Sequence, residues 1–435
     1  LLGDRYLFFV RSFFCLLIVC SSIGQAVAQT PPREMDLRQL WNELKLNNPQ
    51  LTALRESYLS AKAVAPQIAA PANPQLGLVW SGIPPNSPLG LGNAGNAGSA
   101  NNSISIAQPF QFPGKKSLAS EIADTSAESL LAQSESNYLQ LGAQLSTLYY
   151  NALSAQKQLQ VSKEMVTRFE LIKNVSRSRY ANNSAAYVEF LNAQVAQSAA
   201  LADQFNLEKQ VQLAYRSINQ LIGRDPREKI ALSGNVQQAI RSVPTLIELE
   251  NYAETSHPLL RSSQLDVDAA RKGVSLAKKA YLPDFQVIGS SYTPRGPFAS
   301  NNGALYYQFE FDIVIPLYFF MKEKYGVEQA IRKQASVEAT NISNRQQIIL
   351  GVANAYTVFE QTKNRMQFIR DSQLPQADAA YKVALTQYSN NGQGFNDLLT
   401  AQNQLRSIQN QLTIAESDLL QAYAVLMVAA GREPF

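Results

Sequence analysis

The apolar positions of this chain recur at two periods, and the switch between them marks its parts. From Lys116 to Tyr180 they return every seven residues: Leu131, Tyr138, Leu145, Ala152, Leu159 and Val166 in one series, with Leu141, Leu148, Ala155 and Phe169 in a second. A repeat held over five heptads predicts a coiled-coil helix rather than a short globular one. At about 1.5 Å per residue it reaches on the order of 95–100 Å. The stretch from about Lys322 to Tyr388 is its counterpart, though Pro375 must kink or interrupt that helix. Returning helices are expected over Tyr187–Ile222 and Phe395–Ala430, stopped at Gly223 and Gly431, each followed by Arg, an acid and Pro. A further helical stretch runs from about Leu37 to Ile68 and ends before Pro71 and Pro74.

Elsewhere the period falls to two. Tyr307 to Ile313 carries aromatics and Ile at every odd position and Gln308, Glu310 and Asp312 at the even ones. Gln75–Trp80, Ser103–Gln108 and Phe285–Tyr292 are further strand candidates. The strands come in pairs, split by loops rich in Pro, Gly, Asn and Ser at 83–102 and 293–303. One strand face wants hydrocarbon and the other wants water, which suits a sandwich or the wall of a membrane barrel.

The order helix, strand, loop, strand, long helix, turn, long helix occurs twice. From Tyr180 to Pro226 and from Tyr388 to Pro434, residues match at a constant offset of 208, with 12 of 47 pairs identical. These include Tyr180/Tyr388, Asn182-Asn183/Asn390-Asn391, Leu191/Leu399 and Gly223-Arg224/Gly431-Arg432. The unit is far longer than the roughly 20–50 residues of a solenoid repeat. The expected organisation is therefore a first repeat at 29–226, a linking segment at 227–244 and a second repeat at 245–435.

Residues 1–28 resemble a secretory leader: Arg5 and Arg11, a short apolar stretch from Ser12 to Gly24, then Ala26-Val27-Ala28 as a cleavage site. Leu17-Ile18-Val19-Cys20 also permits a lipoprotein reading. The leader holds both cysteines, two Arg and one Asp, so cleavage leaves a cysteine-free chain at +3. That charge is too small and too dispersed for a nucleic-acid partner. The single histidine, His257, beside Pro258 at a helix start, makes no metal site alone. No nucleophile–base constellation or Gly-rich cofactor motif is present, so no enzyme activity and no cofactor are expected.

These features together resemble the TolC-like outer-membrane efflux proteins. The strongest local match is Tyr-x-x-(small)-x-x-x-x-x-acid-x-Leu at the two turns, Tyr180 to Leu191 and Tyr388 to Leu399. The strand exit Gln108 to Lys116 looks like the heavy-metal exporter branch of the CzcC and CusC type. The resemblance implies a mainly α fold with a membrane β-barrel portion, in which three protomers each give four strands to one barrel and long helices extend it through the periplasm. It implies a homotrimer in contact with outer-membrane lipid, and as partners a periplasmic adaptor (membrane fusion) protein and an inner-membrane pump of the RND type. The duct would be passive and gated at its periplasmic tip.

For the gate, the resemblance singles out Asp397 and Tyr388 of the second repeat, and Glu189 as the first-repeat counterpart of Asp397. Gln393 stands where some relatives carry Arg and Thr400 where some carry a second acid, which argues against a salt-bridge latch and a second acidic ring. A threefold ring of carboxylates would favour cations. An acid near a helix start is equally what the helix dipole stabilises in solvent, and both readings stand. Gln308, Glu310 and Asp312 would face the lumen. Alternatives are a duct for type I protein secretion, a periplasmic adaptor and an exported coiled-coil scaffold. An adaptor should carry one hairpin, whereas this chain carries two.

Overall fold

Helix-breaking residues set the boundaries of nearly every element. A computed structural model describes residues 34–81, 100–234, 243–295, 304–391 and 394–435. The expected leader at 1–28, most of the loops expected at 83–102 and 293–303, and Gln393 lie outside the described residues.

The single helix expected over Leu37 to Ile68 is instead three: α1 (Leu37–Asn47), α2 (Pro49–Lys62) and α3 (Val64–Ala69). Pro49 opens α2 and holds Asn48 in an extended conformation, because the residue before a proline is excluded from the helical region. Asn48 then caps α2, its Oδ1 accepting from the Leu51 N–H at 3.0 Å. The second half repeats the device. Between α6 (Leu246–Ser256) and α7 (Pro258–Lys279), His257 is extended and its Nδ1 accepts from the Leu259 N–H at 3.1 Å.

The first long hairpin is α4 (Lys115–Ala181) and α5 (Tyr187–Leu221). With 67 residues, α4 is about 100 Å long. The second hairpin is α8 (Glu323–Phe368), a π-helical turn (Ile369–Gln373), α9 (Leu374–Asn391) and α10 (Phe395–Ala429). Pro375 neither breaks nor sharply ends this helix. The π-turn widens the backbone just before it, with the Leu374 N–H reaching back five residues to the Ile369 carbonyl, which makes room for a ring that would otherwise strike the preceding turn.

The heptad series is only partly the buried one. Leu145, Ala152, Ala155 and Phe169 are buried, but Leu131, Leu141, Leu148, Leu159 and Val166 are half-exposed. α4 packs against α5, α7 and α10 and also against the short helices α1, α2 and α3, so burial is spread around it. Its seams are filled by small residues such as Ala127, Ala132, Ser136, Gly142 and Ser146. Against Gly142 lies fully buried Trp41 of α1, whose Nε1 donates to Ser146 Oγ at 3.0 Å.

Both returning helices end in glycine with positive φ, 79° at Gly223 and 85° at Gly431. The next amide closes each end: Arg224 N–H donates to Asn219 O at 2.8 Å, and Arg432 N–H to Met427 O at 2.9 Å. Each glycine also lies under the break between the short helices. A Cβ on Gly223 would lie 2.3 Å from Asn47 O, and one on Gly431 would lie 3.1 Å from His257 Cα. Glycine is thus required at both positions by conformation and by close approach.

Six strands complete the described chain: β1 (Glu34–Met35), β2 (Gln75–Ser81), β3 (Ala100–Phe110), β4 (Ala231–Leu232), β5 (Asp284–Arg295) and β6 (Tyr306–Val314). β1 pairs in parallel with β4, tying the segment between the halves to the residues before α1. That two-residue ladder is too short to leave a period in sequence.

Candidate functional site: channel wall and hairpin tips

β2, β3, β5 and β6 form one antiparallel sheet in the order β2-β3-β5-β6, so the two halves meet at the β3–β5 ladder. Register fixes the faces. Phe285 pairs with Ile313, Val287 with Phe311, Gly289 with Phe309 and Ser291 with Tyr307. Across β3 the same side carries Ile104 and Ile106, and across β2 Leu76 and Leu78. This apolar side has no protein covering it: Phe309 is 85% exposed and Tyr307 73%. The opposite side carries Gln308, Glu310 and Asp312 beside Ser290, Ile288 and Gln286. A sandwich strand would bury one face, but β6 buries neither, so the face suited to hydrocarbon is left for lipid.

Among the described residues, β2 and β6 have no partner strand at the outer edges. Open edges are not tolerated in hydrocarbon, so four strands cannot span a membrane alone. Below the sheet, Asp284 Oδ1 accepts from the Phe112 N–H and from Lys115 Nζ, both at 2.8 Å, fastening the foot of β5 to the start of α4. α10 holds a stretch apolar enough to cross a membrane, but 56% of that stretch is buried inside the protein, against α4, α8 and α9.

At the far end the structure brings together two of the five residues singled out at the tips. Tyr388 is 5% exposed, and its hydroxyl donates to Glu189 Oε2 at 3.5 Å, joining the second hairpin to the first. Its ring packs on Phe395 at 5.6 Å, within a cluster that includes Ala193, Ala384 and Leu398. Asp397 stands apart: it is exposed in the first turn of α10, with no ion pair or hydrogen bond of its side chain among the described residues. Thr400 is exposed and spends its hydroxyl on Asn396 O at 2.8 Å. Gln393 lies outside the described residues.

Arg179 was missed by sequence reasoning. Its guanidinium lies 4.9 Å from the Tyr388 ring centroid, and it donates to Tyr388 O and Ser184 O, each at 3.3 Å. Tyr388 is thus held between an arginine and a carboxylate of the other hairpin. The repeat pairs Arg179 with Gln387, so the internal match carried no signal for it. Among the described residues, no three His, Cys, Asp or Glu side chains gather to hold a metal ion. The tip offers single carboxylates.

The family model described as outer membrane efflux protein matches the chain twice, over residues 40–224 and 249–432. The chain belongs to the outer membrane efflux protein family. It is an outer-membrane exit duct of the tripartite efflux type, with a long periplasmic helical part, and its family and fold are those of non-enzymatic channels. It is 22% identical over 297 residues to the cobalt-zinc-cadmium resistance protein CzcC of Cupriavidus metallidurans, covering 68% of this chain and 69% of that one. To the nickel-cobalt-cadmium resistance protein NccC of Alcaligenes xylosoxydans xylosoxydans it is 23% identical over 324 residues, covering 74% and 69%. Its fold is similar to crystal structures of CusC (TM-score 0.76, 16% identity, 94% of this chain and 96% of that one). It is also similar to the open state of the Neisseria gonorrhoeae MtrE outer membrane channel (TM-score 0.72, 19% identity, 91% and 89%).

Proposed function

We propose that this outer membrane efflux protein works as a homotrimer, three four-stranded sheets closing one barrel over a tunnel of three hairpin pairs. The observation that carries this is the sheet itself, with its uncovered apolar face and two unpaired edges. A closed barrel satisfies the edges, and the edges of one copy are free to pair with those of the next. The twofold family match supports reading residues 29–226 and 245–435 as the two repeats, joined by 227–244.

The duct is passive, and its energy comes from an inner-membrane pump of the RND type joined through a periplasmic adaptor. The cargo is divalent transition-metal cations, a reading supported by the names of the two curated relatives. Asp397, exposed and unpaired at the tip of the second hairpin, forms a threefold carboxylate ring at the constriction, with Tyr388 and Glu189 holding the hairpins of each protomer together behind it. Gln308, Glu310 and Asp312 line the barrel lumen.

Light-scattering mass and negative-stain images of the detergent-extracted protein test the assembly. The expected result is a trimer shaped as a long hollow rod. A compact monomer, or release without detergent, overturns it. For cargo, a host lacking its own duct should regain cobalt, zinc and cadmium resistance when the chain is supplied with a matching pump and adaptor. Restored resistance to drugs but not to metals would remove the cation reading.

A further inference from the structure

Where the sheet gives way to helices, the chain carries an apolar run followed by cations that the exit-duct role leaves unused. Past β6, residues 315–321 read Ile-Pro-Leu-Tyr-Phe-Phe-Met. Leu317 is 69% exposed and Tyr318 71%. Phe319 packs edge-on to Tyr281 at 6.1 Å, placing the run level with the foot of β5. Immediately beyond come Lys322 and Lys324, and beside Tyr281 come Lys278 and Lys279. Lys279 Nζ overlies the start of α4, 3.1 Å from where a Cβ on Gly114 would stand.

The charge here is one-sided. Lys115 and Lys116 add to these four, against only Asp284 and Glu323 over 110–118, 278–285 and 315–325. Asp284 is taken by Lys115 at 2.8 Å, and Lys116 donates to Ala70 O at 2.7 Å. Lys278, Lys279 and Lys322 have no carboxylate partner among the described residues, and Lys324 lies only over the Tyr325 ring at 5.8 Å. An amphipathic aromatic belt capped by lysines is the chemistry that meets the headgroup layer of a bilayer, with ring bodies in the acyl boundary and ammonium groups at phosphate.

We propose that this junction is a collar that binds the anionic phospholipids of the periplasmic leaflet, with Lys278, Lys279, Lys322 and Lys324 on their phosphates and the 315–321 run in the acyl boundary. The apolar run continues the uncovered face of β6, so the occupant is the surface that the sheet already faces, and the lysines fix its charge. The inference rests on the outer-membrane reading and adds a lipid preference to it.

The test uses the full chain, reconstituted into vesicles of phosphatidylcholine alone or with one-third phosphatidylglycerol, and lipid retained on the purified protein is compared by native mass spectrometry. The wild type should retain phosphatidylglycerol preferentially, and added salt should weaken that preference. Each Lys→Gln change should reduce it by about fivefold, as expected for one lysine at an anionic surface. Lys→Arg should restore it. Equal retention of both lipids, with normal insertion, overturns the collar and leaves the outer-membrane reading standing. Failure to insert into either vesicle overturns both. Competition by millimolar inorganic phosphate points to a free-anion site and overturns the proposal. So does a Lys→Gln variant whose oligomer mass falls with lipid preference unchanged, since the run is then a contact between copies.

Discussion

The contact between Trp41 and Gly142 sets two opposing effects against each other in one substitution. In Gly142→Ala the new Cβ would lie 2.1 Å from Trp41 Cη2 and 2.4 Å from Cζ2 and Cζ3, where carbon atoms rest at about 3.5–4.0 Å. The indole cannot retreat freely, because it is fully buried with Tyr138 and Phe435 edge-on at 5.4 Å each. Overpacking of this kind costs about 1–3 kcal/mol. A displaced ring also strains the Nε1–Ser146 hydrogen bond, and a buried donor left without its acceptor costs about 1–3 kcal/mol. Against this, alanine in a helix interior is favoured over glycine by about 1 kcal/mol. The balance is a destabilisation of about 1–5 kcal/mol, the reverse of what helix propensity alone predicts.

The assay is the urea midpoint of the detergent-solubilised protein, read together with hydrogen exchange in α1. Gly273→Ala in α7 is the control, since a Cβ there meets nothing within 4 Å; it should be neutral or stabilising by up to about 1 kcal/mol. Trp41→Phe removes the clashing ring edge, so the double variant should be more stable than the sum of the two single changes implies. A Gly142→Ala protein as stable as the wild type, or strict additivity with Trp41→Phe, would refute the argument.

Burial holds the His257 imidazole below its ordinary value of 6.5, so the unfolded chain takes up the proton first. Its contribution to stability is full above about pH 6.5 and is lost as pH falls from there through the lower folded value; His257→Asn, the residue that caps the equivalent helix at position 48, should flatten that part of the stability–pH curve. Glu416 is buried at 5% exposure between Lys157 (2.8 Å) and Arg370 (3.4 Å) beside the π-turn, and both cations are nearly half exposed. Removing both cations should therefore cost about 3–5 kcal/mol by stranding a buried charge, while Glu416→Gln, which leaves only hydratable ones, should cost clearly less in the same denaturant midpoints. At the tip, Tyr388→Phe gives up only a 3.5 Å hydrogen bond and should cost under about 0.5 kcal/mol, whereas Tyr388→Ala should cost about 3–5 kcal/mol and open the 182–186 turn to protease. Asp397→Asn should alter cation block of the reconstituted channel with the mass of the oligomer unchanged; an unchanged block across a broad cation series would remove Asp397 from the proposed gate.

The sequence alone determined the elements whose signal is local. Alternation from Tyr307 to Ile313 specifies a strand with unlike faces, since a period of two admits no other placement. The proline-free heptads specify a helix of about 100 Å, and the repeated Gly-Arg-acid-Pro specifies where its partner stops. Even the acids and tyrosines of the turns were legible once the halves were laid over each other. The single helix from Leu37 to Ile68 failed because Pro49 constrains the residue before it, a rule weaker in sequence than the apolar pattern around it.

Tertiary structure decided what depends on neighbours distant in the chain. Which face of α4 is buried was not legible from heptads, because six helices pack on it and small Ser, Ala and Gly residues at the seams carry little hydrophobic signal. Gly142 is an unremarked glycine until Trp41, 101 residues earlier in sequence, lies across it. Tyr388 gains its grip from Arg179 and Glu189 of the other hairpin, and no spacing along one hairpin records that pairing. Periodicity reports what a residue needs buried; only the packed chain determines what buries it.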